Sequence, residues 1–230
     1  MKRTGFLTAL LALAVAGCTL VPPARSPDRP PVATAPPRVQ SGALTGNARK
    51  CLAALDGAGV RFSPQRDQYF GLGCSTVNAV RVQRMPGDSG DFAVGNLGPV
   101  ACPAARALAA WVRYGVDRAA RQHLGATLVR VETMGSYACR DVGSSGRRSA
   151  HARAEAIDVA GFVFADGRRV SVLGDWDGGD ARERRFLRAV QASACKRFAT
   201  VLGPDYNAAH RDHFHLEISG SGTGRRSFCR

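Results

Sequence analysis

The 230-residue sequence has little of several features that mark common protein classes. It contains one long apolar run, at the N-terminus, which argues against a protein that crosses a membrane many times. Aromatic residues make up only 7% and no nucleic-acid reader motif occurs, so we expect no nucleic-acid partner despite the net charge of +14. The 45% hydrophobic content is enough for a buried core, and the length fits one compact domain with accessory segments.

Two familiar zinc motifs are also missing. No Cys-x2-Cys pair occurs, which argues against a structural zinc site built from cysteines. The His-Glu-x-x-His helix of many zinc peptidases is absent as well. Any metal chemistry must therefore use a different arrangement of ligands.

The N-terminus predicts export and lipid attachment. A basic start and an apolar stretch from Phe6 to Ala16 lead into Val-Ala-Gly-Cys, which ends at Cys18 and resembles a bacterial lipobox. We expect residues 1–17 to be a lipoprotein signal peptide and Cys18 to carry the lipid; an ordinary signal peptide is the alternative. Thr19 resembles the residue that follows the cysteine in lipoproteins of the outer membrane. The predicted location is the bacterial envelope, facing the periplasm, with the outer membrane favoured.

A proline-rich segment follows the lipidated cysteine. Residues 18–46 hold seven of the 12 prolines and show no apolar periodicity. Such a segment buries no core and stays extended, so it predicts a tether between membrane and domain. An ordered arm that wraps the domain is the alternative.

The cysteines predict disulfides. Once Cys18 carries lipid, six cysteines remain, and an even number in an exported domain favours three disulfides. Fifteen pairings are possible, of which Cys51 with Cys74 is the most local. A thiol enzyme is disfavoured because no cysteine adjoins a histidine. The six candidates are Cys51, Cys74, Cys102, Cys139, Cys195 and Cys229.

Residues 47–230 are predicted to form one α+β domain. The pattern lacks regular βαβ alternation, so we expect a small, mainly antiparallel sheet flanked by helices. Apolar periodicity predicts helices over residues 47–58, 103–123 and 180–198. Strands are predicted over residues 76–85, 128–134 and 213–218, with a hairpin formed by 156–164 and 169–173.

Histidine is scarce, and four of the five histidines fall in two short segments. His151 precedes Asp158, a carboxylate in an apolar strand, which is costly to bury unless it is paired or binds a metal. The second segment holds His210, His213 and His215. On a strand, His213 and His215 face the same side, so one can bind a metal while the other faces the water on it. An isolated His-x-His is equally typical of surface histidines, but the combined pattern predicts a catalytic zinc site.

The same motifs resemble a known family. Tyr137-Ala-Cys139-Arg140, Ser-Ala-His151, Ala-Ile-Asp158-Val and the segment 201–217 resemble the bacterial extensin-like C-terminal domain. In addition, Ser-x-His-x6-Asp followed by His-x-His is similar to the LAS group of zinc peptidases. That group includes D-alanyl-D-alanine carboxypeptidases and murein endopeptidases.

The resemblance implies a zinc-peptidase fold and a role for each site residue. Zn²⁺ would be bound by His151, Asp158 and His215. His213 would act as the base, in place of the glutamate that many carboxypeptidase relatives use. His210 would bind substrate or orient water.

Two further residues have alternative roles. Arg140 resembles the arginine that stabilises the oxyanion in such enzymes, and a solvated loop arginine is the alternative. Glu217 would either fix the tautomer of a ligand histidine or form a surface salt bridge.

The sequence thus predicts an envelope lipoprotein that hydrolyses amide bonds in stem or cross-link peptides of peptidoglycan, with enzymatic activity favoured over its absence. A positive charge suits an anionic polymer of this kind. One alternative is a catalytically silent module that binds peptidoglycan. Another is a structural tether in which the lipid and the proline-rich segment suffice.

Overall fold

A computed structural model describes residues 38–40, 45–143, 145–218 and 228–230 of the chain. They belong to one compact unit, Ala35–Arg230. The predicted signal peptide, Cys18 and most of the predicted tether lie outside the described residues. Among the residues described, no helix is long and apolar enough to cross a membrane.

The described part has a mixed α+β fold with thirteen strands in two sheets. The larger sheet has ten strands in the order β13-β11-β12-β9-β8-β6-β5-β2, with β10 beside β9 and β7 beside β5. A second sheet has the order β1-β3-β4. The strands are β1 (Arg38–Gln40), β2 (Arg61–Pro64), β3 (Asp67–Gly71), β4 (Cys74–Thr76), β5 (Ala79–Pro86), β6 (Asp91–Gly95), β7 (Pro99–Ala101), β8 (Leu128–Gly135), β9 (Ala156–Phe164), β10 (Arg169–Ser171), β11 (Thr200–Leu202), β12 (Phe214–Glu217) and β13 (Phe228–Cys229).

The prediction of a small sheet is wrong. Strands β2, β6, β7, β11 and β13 of this sheet were not predicted, because each has only two to five residues and shows no clear alternation. Most strand pairs in the large sheet are antiparallel, and β6–β8 and β11–β13 are parallel. The mixed α+β class itself is confirmed.

Helices are found at the three predicted places. They are α1 (Gly46–Gly57), α2 (Cys102–Trp111) and α4 (Ala181–Ala194), with a short α3 (Val172–Asp175) before α4. The α2 helix continues in wider π-type turns, Val112–Asp117 and Ala120–Leu124. Residues 172 and 173, predicted as strand, begin α3 because the Ser171 side chain accepts the Gly174 N–H and caps that helix.

The core is built on the central strand β9 and on α2 and α4. Phe162 of β9 lies in edge-to-face contact with Trp111 and Phe186, at ring-centroid distances of 6.1 and 5.2 Å. The buried Trp111 indole N–H donates to the Val190 carbonyl of α4 at 2.9 Å. The helices are thereby fixed against the strand that carries the candidate site.

Three disulfides are present among the described residues, and the predicted Cys51–Cys74 pairing is wrong. The pairs are Cys51–Cys102, Cys74–Cys139 and Cys195–Cys229. The first links α1 to the start of α2, which packs against it. Because the pairs close loops of 34 to 65 residues, each is expected to stabilise the domain by about 4 kcal/mol.

Candidate metal centre

Three predicted ligands come from three separate elements. His151 lies in the 3-10 turn Ala150–Arg153, and the Ser149 hydroxyl caps this turn by accepting the His151 N–H. Asp158 lies on β9 and His215 on β12, directly opposite one another in the antiparallel register. Opposed residues of neighbouring strands share a face of the sheet, so their side chains meet there.

The potential metal-ligand atoms of these residues lie close together. His151 Nε2 is 3.1 Å from Asp158 Oδ2, and His215 Nδ1 is 2.9 Å from Asp158 Oδ1. The two imidazole nitrogens, His151 Nε2 and His215 Nδ1, are 3.2 Å apart. The two histidines are 2% and 7% exposed, so water contributes little to their solvation. This His–Asp–His group is the one candidate metal cluster among the described residues.

Contacts behind the cluster define which ring nitrogens carry protons. His151 Nδ1 is 3.0 Å from the Ser136 carbonyl oxygen, which can only accept, so Nδ1 carries the proton and Nε2 a lone pair. His215 Nε2 is 3.4 Å from Glu217 Oε2, which favours the proton on Nε2 and a lone pair on Nδ1. Two lone pairs and a carboxylate then face each other, an arrangement that needs a cation at its centre.

Without a metal, that cation is a proton. Burial raises the pKa of Asp158, but hydrogen bonds from His151 and His215 outweigh burial and hold its pKa well below the ordinary range. Burial lowers the pKa of His215, whereas its hydrogen bonds to Asp158 and Glu217 raise that pKa to about 9. The metal-free cluster is therefore an ion pair between the His215 imidazolium and the Asp158 carboxylate.

The donor set fits zinc. Tetrahedral zinc with ligands at about 2.0–2.1 Å needs ligand atoms about 3.3 Å apart, close to the 2.9 to 3.2 Å separations found here. Two imidazoles and one carboxylate form a ligand set used by catalytic zinc, with one coordination position left for water or substrate. Replacing the His215 proton by Zn²⁺ would keep the central positive charge.

His213 lies beside the cluster with a fixed orientation. Its Nδ1 is 2.8 Å from Asp212 Oδ1, and its Nε2 is 3.5 Å from Asp158 Oδ1. The Asp212 carboxylate accepts the Nδ1 proton, which leaves the Nε2 lone pair directed towards the cluster. Phe214, between the two histidines, points into the core as expected and is fully buried.

His210 lies at the rim, in the 3-10 turn Ala208–His210. Its ring centroid is 5.3 Å from that of His213 and 5.8 Å from that of His215. Burial lowers its pKa to about 4, with a further lowering from electrostatic interactions with its histidine neighbours, so it is neutral at pH 7. Its Nδ1 donates to Asn207 Oδ1 at 2.7 Å, which leaves Nε2 as an acceptor.

Arg140 lies on the loop that passes over His151. The backbone of this loop is fixed because Ser149 N donates to the Arg140 carbonyl and Ala138 N donates to the His151 carbonyl. The Arg140 side chain is exposed and has no acidic partner within the part of the chain that the structure describes. Its charge contributes to the lowered pKa of His210.

Two residues of the site were not predicted. Ser136 acts through its backbone carbonyl, which any residue type provides, so no sequence signal marks it. Asp212 adjoins the His-x-His pattern, but a carboxylate in a polar loop is too common to single out.

The fold and site together define a disulfide-bonded α+β domain with a buried His–Asp–His centre. Residues 49–230 match the family model described as Extensin-like protein C-terminus, and the chain belongs to that family. No curated protein and no solved structure matches the chain.

Proposed function

We propose that this protein is a zinc-dependent hydrolase that cleaves amide bonds in the stem or cross-link peptides of peptidoglycan. The observation that carries the proposal is that three potential metal-ligand atoms, on His151, Asp158 and His215, lie close together. The oriented imidazole of His213 lies beside them. If these three residues formed only a structural ion pair, no additional base beside them would be needed, and His213 supplies such a base. The similarity of the motifs to LAS zinc peptidases supports the same assignment.

His151 Nε2, Asp158 and His215 Nδ1 would hold the metal. When bound, zinc supplies a Lewis acid that lowers the pKa of water and polarises a carbonyl oxygen. His213 Nε2 accepts the proton of the attacking water, and Asp212 stabilises the imidazolium that results. His213 then donates this proton to the leaving amine.

The rim residues act on the substrate. Arg140, whose guanidinium has no acidic partner among the described residues, stabilises the negative charge that develops on the carbonyl oxygen, a contribution of about 3–4 kcal/mol for a well-placed donor. Neutral His210 accepts a hydrogen bond at Nε2 from a substrate amide. Export and lipid attachment at Cys18 would place this chemistry against the cell wall.

Incubation of the protein with purified peptidoglycan tests the proposal. We expect new amino groups to appear, and a chelator to stop their release. His213→Ala should lower the rate at least 100-fold while metal content is retained, because removal of a general base costs about 10²–10⁴-fold. His123→Ala, at the one histidine outside the site, is the matched control and should keep full activity.

If peptidoglycan binds but no amine is released, the protein is a binding module and the hydrolase proposal is wrong.

A further inference from the structure

The β13 segment, Phe228–Arg230, is fixed to the fold by three kinds of contact. Strand β13 pairs in parallel with β11, the strand that leads into the loop before β12. The Arg230 carbonyl accepts the N–H of Gly203, where that loop begins, at 2.9 Å. The Cys195–Cys229 disulfide joins the segment to the end of α4. This segment is therefore held in a defined place at the edge of the large sheet.

Ring contacts connect the β13 segment to the site. Phe228 packs edge-on against Tyr206, with ring centroids 6.0 Å apart, and Tyr206 packs in the same way against His210 at 5.5 Å. His210 in turn lies 5.3 Å from His213 and 5.8 Å from His215, measured between ring centroids. Edge-on contacts between aromatic rings are favourable and orient one ring against the next. The position of the His210 ring therefore depends on Tyr206, and that of Tyr206 on Phe228.

Burial does not explain these two aromatic residues. Phe228 and Tyr206 are 46% and 42% exposed, and residues 205–209 of the loop are exposed as well. The hydrogen bond from His210 Nδ1 to Asn207 lies within a single turn, so it does not set the distance of that turn from the metal centre. Contacts from outside the turn must supply this restraint, and the Phe228 ring supplies one through Tyr206.

We propose that Tyr206 is a positioning residue which, supported by the β13 segment, holds the His210 ring against the site so that its Nε2 can accept a hydrogen bond from the substrate. The role of His210 towards the substrate rests on the proposed function, whereas the position of its ring does not. The Cys195–Cys229 disulfide anchors the supporting segment, so this part of the site is complete only in the oxidised chain.

Tyr206→Leu tests this role, because leucine keeps an apolar side chain and removes both ring contacts. The full chain with Cys18→Ser is kept in chelator, and nuclear Overhauser contacts between the ring protons of His210 and His213 report the position of His210 directly. We expect these contacts in the wild type and their loss in Tyr206→Leu. Tyr206→Phe should restore them, because the Tyr206 hydroxyl has no hydrogen-bond partner among the described residues.

Removal of the disulfide tests the anchor. Cys195→Ala combined with Cys229→Ala should weaken the same contacts, because the β13 segment is then no longer joined covalently to α4. Cys51→Ala combined with Cys102→Ala is the matched control. It removes a disulfide of comparable effect on stability between α1 and α2 and leaves the β13 segment intact, so the contacts should remain.

Kinetics of the zinc-loaded protein with soluble peptidoglycan fragments separate positioning from general damage. Tyr206→Leu should raise KM about fivefold with little change in kcat, because His210 binds the substrate and does not transfer the proton. Its zinc content should equal that of the wild type.

Three outcomes would overturn the positioning role. In the first, Tyr206→Leu keeps the contacts between His210 and His213. In the second, the two disulfide variants lose these contacts equally. In the third, kcat and zinc content of Tyr206→Leu fall together. Contacts that change as predicted in a protein that releases no amine contradict the hydrolase proposal and leave the positioning role standing.

Discussion

At the scale of single residues, the centre depends on groups behind the ligands as much as on the ligands. The Ser136 carbonyl and the Glu217 carboxylate hold protons on the outer nitrogens of His151 and His215. The inner nitrogen of His151 then presents a lone pair, and a cation that binds at the centre has to displace only the Nδ1 proton of His215. The role of Glu217 in holding the His215 proton can be tested directly.

Glu217→Gln should weaken zinc binding by about 10–100-fold while the fold is retained. The amide keeps the shape of the side chain but removes the negative charge that favours the proton on His215 Nε2. Competition with a chromogenic chelator measures the affinity. Glu132→Gln is the matched control, since Glu132 pairs with Arg169 and contacts no ligand of the centre. Equal zinc affinities of Glu217→Gln and Glu132→Gln would show that Glu217 forms only a surface salt bridge.

The ion pair of the metal-free centre predicts a pH dependence of folding stability. The pKa of His215 rises from an ordinary 6.5 to about 9 on folding, so its contribution is complete below pH 6.5 and is lost as pH rises through about 9. The pKa of Asp158 is lowered, so its contribution is present above about pH 3.8 and is lost in stronger acid. The pair is therefore fully formed between these limits.

In chelator, the wild type should be more stable than Asp158→Asn between pH 4 and 6.5, with the difference shrinking towards pH 9. Urea unfolding at several pH values measures this difference in the free energy of unfolding. A difference that stays constant from pH 6 to pH 9.5 would mean that His215 is neutral in the metal-free protein.

The residue types of the centre were predictable from sequence, whereas their partners were not. A buried aspartate and a cluster of scarce histidines carry a chemical cost that points to a site. Ser136 and Asp212 carry no such cost in the sequence. Their roles come from where the backbone places them.

At the scale of elements, strand register decides whether the centre forms. The strands over residues 156–164 and 213–218 were predicted, but the pairing of Asp158 with His215 was not, because register depends on contacts distant in sequence. A slip of one residue would turn the His215 side chain to the opposite face of the sheet. Phe214 opposes such a slip, since its side chain fills the core on that face.

The loop between β11 and β12 carries His210 and His213 and is anchored by one indole. Trp176 Nε1 donates to Asp205 Oδ1 at 2.8 Å, and the Trp176 ring packs edge-on against Phe214 at 5.6 Å. The indole thus joins this loop to the strand that bears His215.

Trp176→Phe keeps an aromatic ring but removes the N–H, so we expect a loss of about 1 kcal/mol in stability and a clear fall in kcat. Trp111→Phe is the matched control, because it removes a buried indole hydrogen bond to Val190 that has no link to the loop. The pH–rate profile and kcat of both variants distinguish a positioning role from a stability effect. If both variants change kcat equally, the indole does not position the loop.

At the scale of the whole molecule, the α+β class was predictable and the size of the sheet was not. The longer elements show clear periodicity, whereas the short strands β2, β6, β7 and β11 form only because neighbours supply their hydrogen bonds. The Cys51–Cys74 prediction is wrong for the same reason, that the partner is distant in sequence, since Cys74 bonds to Cys139 across 65 residues of chain. The lipid anchor, the tether and the envelope location remain predictions from the N-terminal sequence.

Metal content of the purified protein tests the central claim most directly, because every step of the proposed chemistry needs the His–Asp–His centre to hold a cation. Elemental mass spectrometry of protein produced with zinc should find about one zinc per chain in the wild type and in Asp212→Ala. Asp158→Ala should retain less than a tenth of that amount, with its disulfides and its far-ultraviolet circular dichroism unchanged. A folded wild type without bound metal, or an Asp158→Ala variant that keeps its zinc, would contradict the account.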